Sequence, residues 1–189
     1  MTPYLIAIEG LSDLGDLREL DAKTSRSLKI AVNAAVDKAR TRLSSDIRSH
    51  LNFTQPYLAQ RMKVVKRATN SDFEGVIAGR DRPTSLARFL TNSPKRGRAA
   101  IVQVAAGSSK PMTRAFVINL ANGNRGLAMR LKPGEAWKNK KFVRRFEGDL
   151  YLLYGPSVNQ AMRMVAEDRV DDVAGYLENE FLRLMELDL

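Results

Sequence analysis

One periodic stretch near the start of the chain constrains its fold more than any other feature. Leu28, Ala31, Ala35, Ala39, Leu43 and Ile47 recur at spacings of three and four, with charge on the other faces. That is the helical period, and it predicts one long helix over about residues 22–50. Three of the six seam positions are alanine. A seam so narrow lets a sheet or another helix approach closely.

The residues after this helix set the fold class. Thr54, with Pro56 two residues on and Phe53 before it, reads as the N-cap, first turn and apolar staple of a short second helix carrying Tyr57, Leu58 and Met62. Strand-like stretches then run over 62–68 and 73–78 with a turn at 69–72, and over 99–105, 113–120, 126–131 and 150–154. Residues 84–90 read as one or two helical turns, 93–98 as a basic loop and 132–141 as a flexible loop. Gly155-Pro156 breaks the last extension, and Ser157 caps a C-terminal helix over about 158–187. Val158, Met162 and Val165 form one stripe of it, Val170, Val173, Leu177, Phe181 and Leu184 a second, and Glu167-Asp168-Arg169 marks a break between them.

The order helix, strands, helix, without βαβ alternation, predicts an α+β fold. An antiparallel sheet of about four to six strands would carry the long N-terminal helix and the C-terminal helix on it. A single domain is expected over 1–189, divided into an N-terminal arm (1–21, with an extended piece over 4–10), a helical part (22–61), a sheet with basic loops (62–154) and C-terminal helices (155–189). Apolar residues at 44% and charged residues at 28% fit a soluble globular chain. No apolar run reaches the roughly 20 residues of a membrane span. The opening residues Met1-Thr2-Pro3-Tyr4 do not read as a secretory signal.

Composition also removes several chemistries. With no cysteine there are no disulfides, thiolate metal sites or thiol nucleophiles, and one histidine rules out a zinc site of several imidazoles within the chain. That histidine, His50, falls at the end of the long helix, where an imidazole commonly caps carbonyls. No P-loop, nucleophile elbow or dinucleotide fingerprint is present. No cofactor and no catalytic residue is expected.

Charge is unevenly spread. Residues 1–59 carry 8 basic and 7 acidic side chains, residues 60–145 carry 20 and 4, and residues 146–189 carry 3 and 10. A basic middle and an acidic tail fit contact with a polyanion. They fit equally the docking of one copy's tail on the next copy's middle. The basic candidates are Lys63, Lys66, Arg67, Lys95, Arg96, Arg98, Arg125, Lys138, Lys140 and Lys141, with Arg144 and Arg145 nearby. They would touch phosphates, or form solvated loops or a docking surface for acidic neighbours. Gly123-Asn124-Arg125-Gly126 has the spacing of a backbone-clamping Gly-x-x-Gly loop. Its flanks are strand-like, and Asn122-Gly123 is a strong hairpin signal, so a hairpin tip is the expectation. Glu167, Asp168, Asp171 and Asp172 read as a solvated helix face rather than a metal site, although Asp168 and Asp172 share a face.

Three segments in order carry a resemblance. They are the helix over 31–50 followed by "MKVVKRAT", then "RAFVINLANGNRGLAMR", then "LYLLYGPSVNQAM". Together, over roughly residues 25–185, they resemble the minor tail protein Z family of tailed bacteriophages and prophages. The most specific element is Tyr154-Gly155-Pro156-Ser157-Val158 after the Ala-Phe hairpin. The resemblance implies a small structural virion protein of the tail or neck, assembled in the host cytoplasm, that completes the head-proximal end of the tail. It implies partners: further copies in a ring, commonly of six, the tail terminator, tail tube and head–tail connector, and DNA in the channel, with no membrane. In the family the middle region often holds a longer arginine/lysine run, which here is broken into smaller loops. The runner-up function is a basic, non-sequence-specific nucleic-acid-binding protein.

Overall fold

The computed structural model describes residues 22–95, 98–137 and 140–187. The arm expected over 1–21 lies outside the described residues. Helix α1 runs over Ala22–His50 without a break. All six seam residues are buried, and Val32 and Val36 are buried with them, which widens the apolar stripe beyond the sequence expectation. Helix α2 (Gln55–Arg61) has Thr54 at its N-cap, though the threonine hydroxyl makes no capping bond there. Met62 leaves this helix and opens strand β1 (Met62–Lys66), which pairs antiparallel with β2 (Val76–Gly79).

The main antiparallel sheet has five strands, within the four to six expected, and two separate two-stranded ribbons accompany it. The main sheet has the order β3-β9-β7-β6, with β8 also paired to β9. Its strands are β3 (Thr84–Ser85), β6 (Ala115–Asn119), β7 (Arg125–Arg130), β8 (Val143–Glu147) and β9 (Leu150–Gly155). The second ribbon pairs β4 (Ala100–Val102) with β5 (Lys110–Met112). Three strands escaped the sequence reading: β3, β5 and β8. β5 holds Pro111, which fits only an edge, and four of the five residues of β8 are exposed and mostly charged. The stretch over 84–90 is β3 followed by a 3₁₀ turn (Leu86–Phe89) rather than a regular helix.

The C-terminal part is helix α3 (Val158–Ala166), a 3₁₀ turn (Glu167–Arg169) and helix α4 (Val170–Glu186). Ser157 caps α3 through a full capping box: its hydroxyl accepts from Gln160 N at 3.0 Å, and Gln160 Oε1 accepts from Ser157 N at 3.0 Å. The break falls at Glu167-Asp168-Arg169, and there Arg169 grips Asp46 of α1 with two hydrogen bonds of 2.6 and 3.1 Å. Of the second expected stripe, Val173, Leu177 and Leu184 are buried, whereas Val170 is 58% exposed. Val170 opens α4 directly after Arg169, whose φ of −116° and ψ of 0° depart from regular α-helix and mark the elbow between α3 and α4.

One core joins α1, α2, α3 and α4 to Leu127 and Leu153 of the main sheet. Close packing shows at Gly79, where an added Cβ would lie 2.6 Å from Met162 Sδ and 2.9 Å from the backbone nitrogen of Asn159. A smaller apolar cluster of Ala128, Leu150 and Leu152 sits in the same sheet, flanked by Ile118, Leu120 and Tyr154. Among the described residues, no helix is long and apolar enough to cross a membrane.

Candidate functional site

The Gly-x-x-Gly segment is a hairpin tip. Strands β6 and β7 pair from Ala115↔Met129 to Asn119↔Arg125, and the loop between them is closed by Leu120 N donating to Asn124 O at 2.8 Å. Gly123 N donates to Leu120 O at 2.9 Å, and Gly123 has φ +74°, the left-handed residue that short hairpin loops require. Asn122 Oδ1 accepts from Asn124 N at 3.1 Å and stiffens the tip. No pair of helices flanks the glycines, so a KH-type clamp has no scaffold here.

The tip forms one wall of a cleft of about 820 Å³. A second wall is the segment 80–88, held in place by a set of local bonds. Arg80 N donates to Arg61 O at 2.9 Å, Asn159 N donates to Arg80 O at 3.1 Å, and buried Asn159 donates its Nδ2 to Asp81 Oδ1 at 3.0 Å. Ser85 caps the 3₁₀ turn and reaches across to donate to Arg125 O at 3.2 Å, tying this wall to the hairpin. The third wall is the start of β8 with Lys141, Val143 and Arg144.

The lining divides by polarity. Tyr57 and Leu152 are buried, and Leu120, Val143 and Tyr154 are half-buried. Around them stand Arg61, Arg80, Arg82, Arg88, Arg125, Arg144 and Lys141, and no aspartate or glutamate is among the lining residues. The Arg88 guanidinium lies 4.3 Å from the centre of the Tyr57 ring and that of Arg61 lies 5.9 Å away, so two cations share one aromatic ring. Tyr57 is itself fixed by a 3.3 Å hydroxyl contact with buried Thr84. Among the described residues, the six arginines of this lining form no salt bridge. Cations gathered without counter-charges repel one another and raise the local potential, which favours an anion and disfavours a metal ion. The cleft offers no imidazole or carboxylate that could serve as a general base beside its hydroxyls.

The structure sorts the sequence candidates into four groups. Arg125 and Lys141 line the cleft. Lys66 and Arg67 are bound to carboxylates. Lys66 contacts Asp72 at 2.7 Å and also Glu74, and these hydrogen bonds, Asp72 first, raise the ammonium above its ordinary range. Arg67 makes a fork of 2.8 and 3.1 Å to Asp37, whose carboxyl is lowered chiefly by that bond. Lys63, Lys95, Arg98 and Lys140 are exposed away from the cleft lining. Arg96 and Lys138 lie outside the described residues.

Sequence reasoning passed over Arg61, Arg80, Arg82 and Arg88. They are isolated arginines rather than a run, and the visible signal was only the excess of basic side chains over the whole middle. His50 behaves as expected of a helix C-terminus, with Nδ1 3.0 Å from Asp46 O. Of the acidic face, Asp172 lies 3.8 Å from Arg42 of α1. Among the described residues no group of three or more potential metal-ligating side chains is placed to hold an ion.

Comparison with characterised proteins and with solved structures returns no match. A family model described as prophage minor tail protein Z (GPZ) matches residues 8–188. This span takes in every described helix and strand, the cleft and the hairpin. The chain belongs to the prophage minor tail protein Z family.

Proposed function

We propose that the protein completes the head-proximal end of a phage tail and takes part in joining that end to the filled head. It acts by assembly, as one copy in a ring around the DNA channel, and catalyses no reaction. Its neighbours are further copies and the other neck and tail proteins: the terminator, the tube and the connector. The observation that carries this reading is the family match over residues 8–188, which makes the chain a structural protein of a phage tail. The cleft supports it by offering a built binding surface without catalytic groups.

The test is peptide mass spectrometry of purified virions, with copy number measured against the major tail protein. A few copies per particle is the expected result. Abundance in the lysate with absence from particles would overturn the assignment. A second reading, a basic protein that binds nucleic acid without sequence preference, is favoured by the unpaired arginines of the cleft. It requires tight DNA binding that falls steeply with salt.

A further inference from the structure

We infer that the cationic cleft is a socket for the acidic elbow between α3 and α4 of a second copy. This inference rests on the tail-assembly reading for its biological setting, but its geometry is independent of it. The cleft has two chemistries at once. Arg61, Arg82, Arg88, Arg125 and Arg144 are exposed and lack carboxylate partners among the described residues, while Tyr57, Leu120, Val143 and Leu152 give it an apolar lining. A nucleic-acid backbone would satisfy the cations but has no apolar side chains for the rest. A protein ridge that mixes carboxylates with apolar groups satisfies both.

The same chain carries such a ridge. Glu167, Asp168 and Asp171 are exposed at the elbow and form no salt bridge among the described residues. Beside them stand two exposed apolar side chains, Met164 at 50% and Val170 at 58%. Met164 lies in the last turn of α3, Asp168 in the 3₁₀ turn and Asp171 in the first turn of α4, so the apolar and acidic groups stand close together along one short stretch of chain. Apolar groups so exposed, interleaved with unpaired acids, suit a contact surface better than a solvated face.

A single copy cannot close this contact on itself. The elbow is anchored to α1 by Arg169 on Asp46 and by the buried Val173 and Leu177, and no residue of α3 or α4 lines the cleft. The match therefore runs between copies. Socket and ridge are different surfaces, so the contact is head-to-tail, and it builds a ring where the rotation closes and an open chain where it does not.

The experiment is sedimentation velocity on the full chain at low ionic strength, with two charge-reversed variants. One is Arg82→Glu with Arg125→Glu, and the other is Asp168→Lys with Asp171→Lys. The wild type should self-associate, and salt should weaken the association. Each variant should weaken it by about tenfold or more, since like charges then face each other. Mixing the two variants is the sharpest test. The ridge of the first fits the socket of the second, and the acidic socket of the first now matches the basic ridge of the second, so the mixture should recover the self-association that each variant alone has lost. The chain with all four substitutions should recover self-association. Circular dichroism checks folding, and the neutral sets Arg82→Gln with Arg125→Gln and Asp168→Asn with Asp171→Asn serve if a reversed variant misfolds.

A wild type that stays monomeric at its highest attainable concentration would overturn the proposal. So would variants that associate as the wild type does. If the socket variant loses affinity for a duplex DNA probe while self-association is unchanged, the cleft serves phosphodiesters instead. Failure of the tail reading looks different: self-association persists while the protein is missing from virions.

Discussion

The alanine seam of α1 makes a quantitative demand on the core. Ala35 is fully buried, at 0% exposure, in the middle of a 29-residue helix. Replacing it by leucine adds three carbon atoms where the helix meets its neighbours, without lowering helix propensity much. Additional burial of apolar carbon would favour the variant by about 0.8 kcal/mol per methylene if room existed. Room is what the seam lacks, and overpacking a closed site costs about 1–3 kcal/mol instead. At about 2–4 °C per kcal/mol for a domain of this size, Ala35→Leu should lower Tm by roughly 2–12 °C. The control is Ser45→Leu, on an exposed face of the same helix, which should stay within about 0.5 kcal/mol of the wild type. Urea titration with an unchanged m-value, together with a thermal scan, reads both. An Ala35→Leu chain as stable as the wild type would show that α1 is not packed closely along its alanines, and the argument from the seam would fall.

Three further expectations concern the turn, the strand β2 and pH. Gly123→Val should cost about 1–2 kcal/mol or more through backbone strain alone, because φ is +74° while the space around the residue is open. Gly123→Asn should recover much of this loss, and equal urea midpoints for the two variants would refute the turn assignment. Gly79→Ala should destabilise by about 1–3 kcal/mol, since the new methyl meets the backbone of Asn159 as well as Met162; an unchanged unfolding midpoint would contradict that contact. Glu135 accepts two bonds of 2.9 Å from Arg114 and one of 2.8 Å from Lys132 N, and the Arg114 bond first holds its carboxyl down at about 2 from 4.5. A lowered folded value stabilises fully above pH 4.5 and is lost as pH falls toward about 2. An NMR titration of the Glu135 carboxyl should therefore show its midpoint near 2, and a midpoint near 4.5 would remove the ion pair from solution.

Local chemistry determined much of this protein from the sequence alone. The period of Leu28 to Ile47, the Ser157–Gln160 cap, the break at Glu167-Asp168-Arg169 and the Asn122-Gly123 turn depend on residues within a few positions of one another, so they can be read along the chain. The same local logic supported an α+β class. Strands β5 and β8 were hidden because one contains proline and the other is mostly exposed and charged, so neither shows an apolar alternation. The site was hidden for a different reason. Runs of lysine and arginine drew attention to 93–98 and 138–141, yet of the candidates only Arg125 and Lys141, with the neighbouring Arg144, reach the cleft. Arg80, Arg82 and Arg88 join them because β9 pairs with both β3 and β7, bringing the segment 80–88 against a hairpin some forty residues away, and Arg61 follows because its carbonyl accepts from Arg80 N. Which cations have partners was also a tertiary decision: Arg67 is neutralised by Asp37, thirty residues distant, and Arg125 is not. Charge along a chain is additive, but a binding surface depends on which charges converge and which are already paired, and only long-range strand pairing decides that.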